Sequence, residues 1–184
     1  MGRQSHARLL VLVGLVITLT ACAISDEITG PSDPGRGMII GRFDYTDSKY
    51  IVTAITMDPA DRISIRSGMR GERVHVYNGG VFFADDLTPG KYQINALLSG
   101  NVIYTPPANQ KMVATVRPGQ ISYMGTYKLN IDDPKLFSRT GGSMKRTDRN
   151  PNEYQLLQEV LVLVKGTGWE PRVQQRIRQL KRTK

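Results

Sequence analysis

The sequence offers few side chains that could act as nucleophiles or as soft metal ligands. Its 184 residues contain one cysteine, Cys22, and two histidines, His6 and His75. Histidine and thiolate ligands dominate protein zinc sites, so this composition disfavours zinc. A lone thiol also disfavours a disulfide within the chain. His75 alternates with the apolar Val74 and Val76, which predicts a solvent-facing side chain rather than a catalytic base.

Two pairs of adjacent carboxylates, Asp85-Asp86 and Asp132-Asp133, are the remaining candidates for chemistry. Paired carboxylates can bind calcium or act as general acid and base. Adjacent residues of a strand point to opposite faces, however, so Asp85 and Asp86 would not converge without a bulge or a turn. A turn before Pro89 explains the first pair, and turn or helix capping explains the second. We therefore predict no catalytic residue, no cofactor, no metal site and no enzyme.

Cys22 ends the run Leu19-Thr20-Ala21-Cys22, which closes an uncharged apolar stretch over 9–20 that follows a basic start. A basic start, a short apolar middle and small residues at the cut are typical of a signal peptide. The stretch is too short to span a bilayer as a helix, which takes about 20 residues. The run resembles the lipobox of bacterial lipoproteins, in which an aliphatic residue, a small residue and Ala or Gly precede the cysteine.

This resemblance implies that residues 1–21 are a signal peptide and that Cys22 is the lipid attachment site. The thiol would carry a diacylglyceryl group and the new amine an acyl chain such as palmitate. Two or more acyl chains hold a protein stably on a membrane. The alternatives are an ordinary secretory signal that happens to contain a cysteine and, less favoured, a cytoplasmic chain with a buried apolar helix.

The residue after the cysteine bears on which membrane the chain would reach. Position 23 is Ala rather than Asp. The absence of Asp there resembles the outer-membrane address of enterobacterial-type lipoproteins. We therefore predict a protein of the cell envelope that is lipid-anchored at the outer membrane and faces the periplasm or the cell exterior.

The chain is basic, with 25 lysines and arginines against 16 acidic residues and a formal net charge of +9. This excess would attract anionic lipid head groups, peptidoglycan or an acidic envelope protein over long range. We expect no nucleic-acid partner, because an exported, membrane-anchored chain rarely meets nucleic acid. A solvated basic surface without a specific partner is the alternative.

Behind Cys22 the composition changes from that of a linker to that of strands. Residues 22–37 are rich in proline and glycine, which predicts a flexible tether for the lipidated cysteine. From 38 to 130 apolar and polar residues alternate, and turn signals divide them into many short runs. This pattern predicts a mainly β fold, an antiparallel β-sandwich.

Two short motifs carry a further resemblance, FADDLTPGKY at 83–92 and VRPGQISYMG at 116–125. The first resembles the Pro-Gly hairpin of carboxypeptidase-regulatory-like and transthyretin-like sandwiches. The second resembles a hairpin of small uncharacterised bacterial lipoproteins with that fold. The resemblance implies a prealbumin-like sandwich and says little about activity, because one fold hosts many functions.

After residue 130 the spacing of apolar residues becomes helical. The polar residues 131–149 predict a surface loop, and 150–184 predict an α-helical hairpin with a basic C-terminus. Asn150 and Pro151 suit the N-cap and the first position of the first helix. Gly166 and Gly168 separate this helix from the second.

The second helix carries a concentration of basic residues. A basic amphipathic helix can lie on an anionic membrane or bind an acidic partner. Its apolar stripe is narrow, so packing on the sandwich or on the preceding helix is the preferred explanation, and cations in a last turn suit the helix dipole without any partner. The possible basic interaction face comprises Arg172, Arg176, Arg178, Lys181 and Arg182.

The sequence leaves three functions open, in decreasing order of preference. The first is a lipid-anchored envelope protein that acts as a non-catalytic interaction or accessory module. The second is a module that binds peptidoglycan or another glycan, for which exposed Tyr or Trp in a shallow groove would be a sign. The third is a hydrolase, for which carboxylates would have to converge in a cleft.

Overall fold

Alternating apolar residues form strands over most of the chain, and helices follow near its end. The computed structural model describes residues 28–60, 72–106, 108–133 and 142–182. Within these ranges the helices are α1 (Glu153–Leu163) and α2 (Glu170–Arg182), and short 3₁₀ turns occupy Asn78–Gly80 and Ala108–Gln110. The strands are β1 (Gly37–Asp44), β2 (Ala54–Pro59), β3 (Glu72–His75), β4 (Val81–Leu87), β5 (Gly90–Ser99), β6 (Val102–Tyr104), β7 (Val113–Val116), β8 (Ile121–Ile131) and β9 (Gly142–Arg146).

These strands form two sheets. The first has the order β4-β1-β8-β9, and the second has the order β3-β2-β5-β6 with β7 also paired to β5. Strands β1 and β8 run parallel, with Met38 opposite Ile121 and Phe43 opposite Tyr127. The other pairs of these strands are antiparallel. The predicted mainly β fold with a helical hairpin is confirmed, and one parallel pair is added to the expected antiparallel pattern.

The inner faces of the two sheets enclose the main core. Ile39 and Phe43 of β1 meet Ile55 of β2 in one contiguous apolar cluster, and all three are fully buried. The rings of Phe43 and Phe82 stack with their centroids 4.8 Å apart. A Cβ at Gly41 would lie 2.2 Å from Cζ of Phe82, so this close approach requires glycine.

A second core lies on the other face of the first sheet, beneath the helical hairpin of α1 and α2. Met38 and Ile40 alternate with the inner residues of β1 and point to this side. They pack with side chains of both helices, among them Val160 and the fully buried Trp169. The first half of β1 is therefore buried on both faces, which explains the three consecutive apolar residues at 38–40.

Strand β9 lies inside the stretch 131–149 that the sequence analysis assigned to a loop. It pairs with β8 at the edge of the first sheet, with Met144 opposite Leu129. Met144 is the buried residue of β9, and the rest of Gly142–Arg146 is half-buried or exposed. A strand that buries one side chain has almost no alternation for a sequence pattern to detect. Part of the predicted loop, 134–141, lies outside the described residues.

Helix α1 begins two residues later than the sequence predicted. Its N-cap is Asn152, whose side chain accepts a hydrogen bond from the amide of Gln155 at 3.1 Å. The side chain of Gln155 accepts in return from the amide of Asn152 at 2.9 Å, which completes a capping box. Pro151 lies outside the helix, before the extended backbone of Asn152, and its carbonyl accepts from the Thr126 hydroxyl on β8 at 2.7 Å. The expectation of Asn150 as N-cap is therefore wrong.

Candidate functional site

The predicted lipid attachment site, Cys22, lies outside the described residues. The described chain begins at Ile28, six positions further on. Residues 28–36, called here the N-terminal segment, fall within the range predicted to be a flexible tether. They instead lie against the domain, where they contact both the helical hairpin and β4.

The first contact joins the N-terminal segment to the turn between α1 and α2. The amide of Gly168 donates a hydrogen bond to the carbonyl of Thr29 at 3.3 Å. Gly30 has a φ of +130°, and a Cβ there would lie 2.9 Å from Cα of Gly168. Ile28 packs against the core beneath the hairpin. Two facing glycines thus allow backbone to meet backbone at this point.

The second contact joins the N-terminal segment to Asp86 at the end of β4. One carboxylate oxygen of Asp86 accepts from the amide and the hydroxyl of Ser32, at 2.7 and 2.8 Å. Asp86 has a φ of +54°, and the register between β1 and β4 shifts there. The guanidinium of Arg36 donates to the Asp86 carbonyl at 3.2 Å. This bulge aims the carboxylate at the segment.

The electrostatics of Asp86 follow from these bonds. The amide of Ser32 is the largest cause that lowers the pKa of the Asp86 carboxyl below its ordinary value, and burial opposes it. The Ser32 hydroxyl and the positive charge of Arg36 act in the same direction as the amide. Asp86 is therefore an anchoring carboxylate whose ionised form is stabilised by its contact with Ser32.

Asp85 points the other way, towards the helical hairpin. Its carboxylate accepts from the indole N–H of Trp169 at 3.1 Å. The prediction that Asp85 and Asp86 do not converge is therefore confirmed. A turn before Pro89 does not explain the two aspartates, because each makes a long-range contact instead. Asp85 contacts the helical hairpin and Asp86 contacts the N-terminal segment.

The predicted basic face divides into inner and outer cations. Arg172 donates to the carbonyl of Arg36 at 2.7 Å and to that of Pro34 at 3.3 Å. Its guanidinium carbon also lies 5.1 Å from the centroid of the Trp169 ring. Arg172 therefore fastens the N-terminal segment to α2, besides any role it has on the surface.

The other four cations occupy different sides of α2. Arg176 pairs with Glu153 of α1 at 2.8 Å, and Lys181 lies over the ring of Tyr154 at 5.8 Å. Arg178, Lys181 and Arg182 are exposed. They stand at spacings of three and four positions, so they share a side of the helix. The structure thus leaves three exposed cations together rather than a face of five.

A polar groove of about 290 Å³ runs between α2 and the turn that precedes β8. Amide and guanidinium groups dominate its walls, so it could hydrogen-bond hydroxyl, carboxylate or phosphate oxygens. No aromatic ring is among the described residues that form it. The groove is lined by Gly119, Gln120, Ile121, Arg172, Gln175, Arg176 and Gln179.

A second polar groove, of about 270 Å³, lies between β1 and α1. The Arg42 guanidinium pairs with Glu159 across it at 2.7 Å. Asp44 accepts from the hydroxyl and the amide of Thr46, which lowers the pKa of its carboxyl. The lining of this groove carries one guanidinium and two carboxylates, whereas the lining of the first groove carries two guanidinium groups and no carboxylate.

The remaining residues that the sequence singled out do not assemble a site. Asp133 accepts from Lys49 at 2.9 Å and from the Tyr50 hydroxyl at 3.1 Å, whereas Asp132 is exposed. His75 is exposed, as predicted, with its ring edge against Tyr77. The described ranges contain no group of three His, Cys, Asp or Glu side chains placed to hold a metal ion.

Aromatic side chains bear on the glycan alternative, because sugar sites commonly present exposed rings. The tryptophan and all eight tyrosines fall within the described ranges, and each is buried or half-buried. Trp169 is fully buried. The exposed ring in a shallow groove that would favour glycan binding is therefore not found among the described residues.

Sequence reasoning overlooked two exposed apolar side chains at the end of α1. Val162 is 75% exposed and Leu163 is 36% exposed. The signal was the run 160–164, since five consecutive apolar residues cannot all face one side of a helix. Neither α1 nor any other helix in the described part of the chain is long and apolar enough to cross a membrane.

Comparison with known proteins gives little further identification. No family model matches the sequence, and no curated protein matches it. Among solved structures, a DUF3823 family protein from Parabacteroides merdae is similar to this chain, with 17% identity and a TM-score of 0.27. The match covers 62% of this chain and 60% of that one.

Proposed function

We propose that this chain is a bacterial outer-membrane lipoprotein, anchored through Cys22, whose β-sandwich and helical hairpin act as a non-catalytic interaction or accessory module. The run Leu19-Thr20-Ala21-Cys22 behind an uncharged apolar stretch carries this proposal. Ile28, six positions after that cysteine, already packs against the core beneath the helical hairpin, so the proposed anchor would lie close to folded structure.

The contacts of the carboxylates support a role without catalysis. Asp85, Asp86 and Asp133 each accept hydrogen bonds that join distant parts of the chain. General acid–base chemistry needs a carboxylate aimed at a substrate, usually within a cleft. These three are aimed at structural partners instead.

The exposed cations of α2 and the polar groove are the surfaces best suited to a partner. Arg178 and Arg182 can attract an acidic envelope protein, because they face solvent at one side of the helix. Peptidoglycan is the second candidate partner. The first polar groove favours peptidoglycan, because its amide side chains can hydrogen-bond sugar hydroxyls and peptide carboxylates. These side chains include Gln175 and Gln179.

Anchoring is tested with the full-length chain in a Gram-negative host supplied with a labelled fatty acid. We expect the wild type to carry the label and to fractionate with the outer membrane. Cys22→Ala should lose the label and leave the membrane fraction or remain unprocessed. Ala23→Asp is the matched control, because it should keep the label and move to the inner membrane. A Cys22→Ala protein that stays in the membrane without label refutes the proposal.

The partner is tested by crosslinking and affinity purification from the native envelope, beside co-sedimentation with purified peptidoglycan. The doubly substituted Arg178→Glu, Arg182→Glu chain should lose an acidic protein partner and keep its fold. Gln175→Ala with Gln179→Ala should lose peptidoglycan if the groove binds it. Firm retention on peptidoglycan together with no captured protein supports the second candidate over the first.

A further inference from the structure

The end of α1 exposes apolar side chains where the helical hairpin turns. Among the described residues, the large apolar side chains with substantial exposure are Val162, Leu163 and Ile51. The first two are neighbours, and Lys165, which follows them, is exposed as well. We call residues 162–168, from Val162 to the glycine that precedes Trp169, the hairpin tip.

Packing of the sandwich does not account for this exposure. Val160 and Val164 face the core beneath the hairpin and are fully buried. Val162 lies halfway between them along the helix and therefore on the opposite side. Replacing Val162 with a polar residue would remove no core contact. The packing of the domain therefore does not require an apolar residue at this position, and contact with another surface can account for it.

The N-terminal segment places the hairpin tip near the proposed anchor. Thr29 is hydrogen-bonded to Gly168, which belongs to the tip. A chain spans at most about 3.5 Å per residue, so Ile28 lies within roughly 20 Å of Cys22 whatever conformation the intervening residues take. If the whole stretch from Cys22 to Gly37 were a free tether, the domain could lie roughly 50 Å from the anchor. Because residues 28–36 are docked on the domain, most of that possible separation is lost.

We infer that the hairpin tip rests on the bilayer that holds the lipid of Cys22. Val162 and Leu163 enter the interface between head groups and acyl chains, and Lys165 lies at the level of the lipid phosphates. This inference depends on the proposed lipid attachment. Two apolar side chains and one cation bind a membrane weakly alone, but the anchor raises their local concentration at the surface to the millimolar range.

Lipid and solvent accessibility at single labelled positions tests this inference. The lipidated mature protein, which begins at Cys22, is reconstituted into phosphatidylethanolamine and phosphatidylglycerol vesicles, with a nitroxide on Val162→Cys. The label is selective because the sulfur of Cys22 is consumed by its lipid. Arg182→Cys is the matched control, since it is exposed at the opposite end of α2, roughly 18 Å along the helix axis from Glu170.

We expect the nitroxide at position 162 to be several-fold less accessible than that at 182 to a water-soluble relaxing agent, and more accessible to oxygen dissolved in the bilayer. Equal water accessibility at the two positions, in protein that carries lipid and floats with the vesicles, overturns the inference and leaves the anchor intact. Protein that carries no lipid and fails to float refutes the anchor, and the inference with it. Protection at 162 without vesicles that grows with protein concentration assigns the tip to contact between copies.

Discussion

The indole N–H of Trp169 donates to the carboxylate of Asp85 across 3.1 Å and joins the helical hairpin to β4. The next residue of β4, Asp86, binds Ser32 of the N-terminal segment. Two adjacent carboxylates thus fasten two different pieces of the chain to one sheet. Arg172 connects those pieces directly, since it contacts the Trp169 ring and the carbonyl of Arg36.

Trp169→Phe should lower the free energy of unfolding by about 1–3 kcal/mol, because it removes the N–H donor and part of a fully buried ring. Asp85→Asn should cost less, since its amide oxygen still accepts. The coupling energy between Trp169→Phe and Asp85→Ala should be about 1 kcal/mol. Urea denaturation of the mature chain carrying Cys22→Ser measures all of these. Strictly additive losses would show that the bond contributes nothing.

Asp86→Asn should reveal how the stability contributed by the contact between Asp86 and the N-terminal segment depends on pH. The folded-state pKa of the Asp86 carboxyl is lowered, chiefly by the Ser32 amide. The stability that the ionised carboxylate contributes is therefore fully present above its pKa in the unfolded chain, about 3.9. That contribution is lost as the pH falls through the lower pKa of the folded state. Asn tolerates the positive φ of Asp86 and keeps an acceptor oxygen. We expect the variant to be less stable than wild type at neutral pH.

That difference should shrink as the pH falls below the ordinary range of an aspartate, because the wild-type carboxyl then becomes protonated as well. Urea denaturation at a series of pH values measures it. The pKa values of Asp44 and Asp133 are lowered as well. Their contributions to the pH dependence of stability are the same in both proteins, so they cancel when the two are compared at one pH. A difference that stays constant from pH 7 to pH 2 contradicts the assignment of the charge to this contact.

Gly30→Ala should detach the N-terminal segment from the hairpin. The new Cβ would lie 2.9 Å from the backbone of Gly168, and φ at Gly30 is +130°. Gly100→Ala is the control, since Gly100 also has a positive φ but its Cβ would meet nothing within 4 Å. We expect the control to cost about 1 kcal/mol and Gly30→Ala clearly more.

Hydrogen exchange at the Gly168 amide gives the specific readout, because this amide donates to the carbonyl of Thr29. Exchange there should accelerate in Gly30→Ala and stay at the wild-type rate in Gly100→Ala. Equal protection in both variants would mean that the segment tolerates a side chain at this contact.

Local patterns predicted much of the fold, because burial in a strand or a helix repeats with a short period. The two sheets and the hairpin follow from alternation and helical spacing alone. The parallel pairing of β1 with β8 does not, since it joins Met38 to Ile121 across most of the domain. Strand β9 was missed for a different reason, which is that Met144 alone of its five residues is buried.

The candidate site shows the same division between local and distant signals. The run ending at Cys22 can be recognised locally, and the divergence of Asp85 and Asp86 follows from strand geometry. Their partners Ser32 and Trp169 lie 54 and 84 positions away. The composition of residues 28–36 is that of a linker, and only the tertiary contacts show that this linker is held.

Arg172→Ala and Arg178→Ala should separate a structural cation from a surface cation on the same helix. Arg172 donates to the carbonyls of Arg36 and Pro34, so its loss should lower the free energy of unfolding by about 1.5–3 kcal/mol. Arg178 is exposed, and its loss should change stability by less than about 0.5 kcal/mol. Urea denaturation measures both variants.

Binding to an acidic envelope partner should depend more on Arg178 than on Arg172, which is the reverse of their effects on stability. Arg178→Ala should weaken it at low salt while the fold is unchanged, because an exposed charge acts by long-range attraction that salt screens. Arg172→Lys keeps the charge of Arg172 but cannot reproduce its two-carbonyl contact, so it should lose stability and keep binding. If Arg172→Lys instead preserves stability, the planar guanidinium is not what fastens the N-terminal segment to α2.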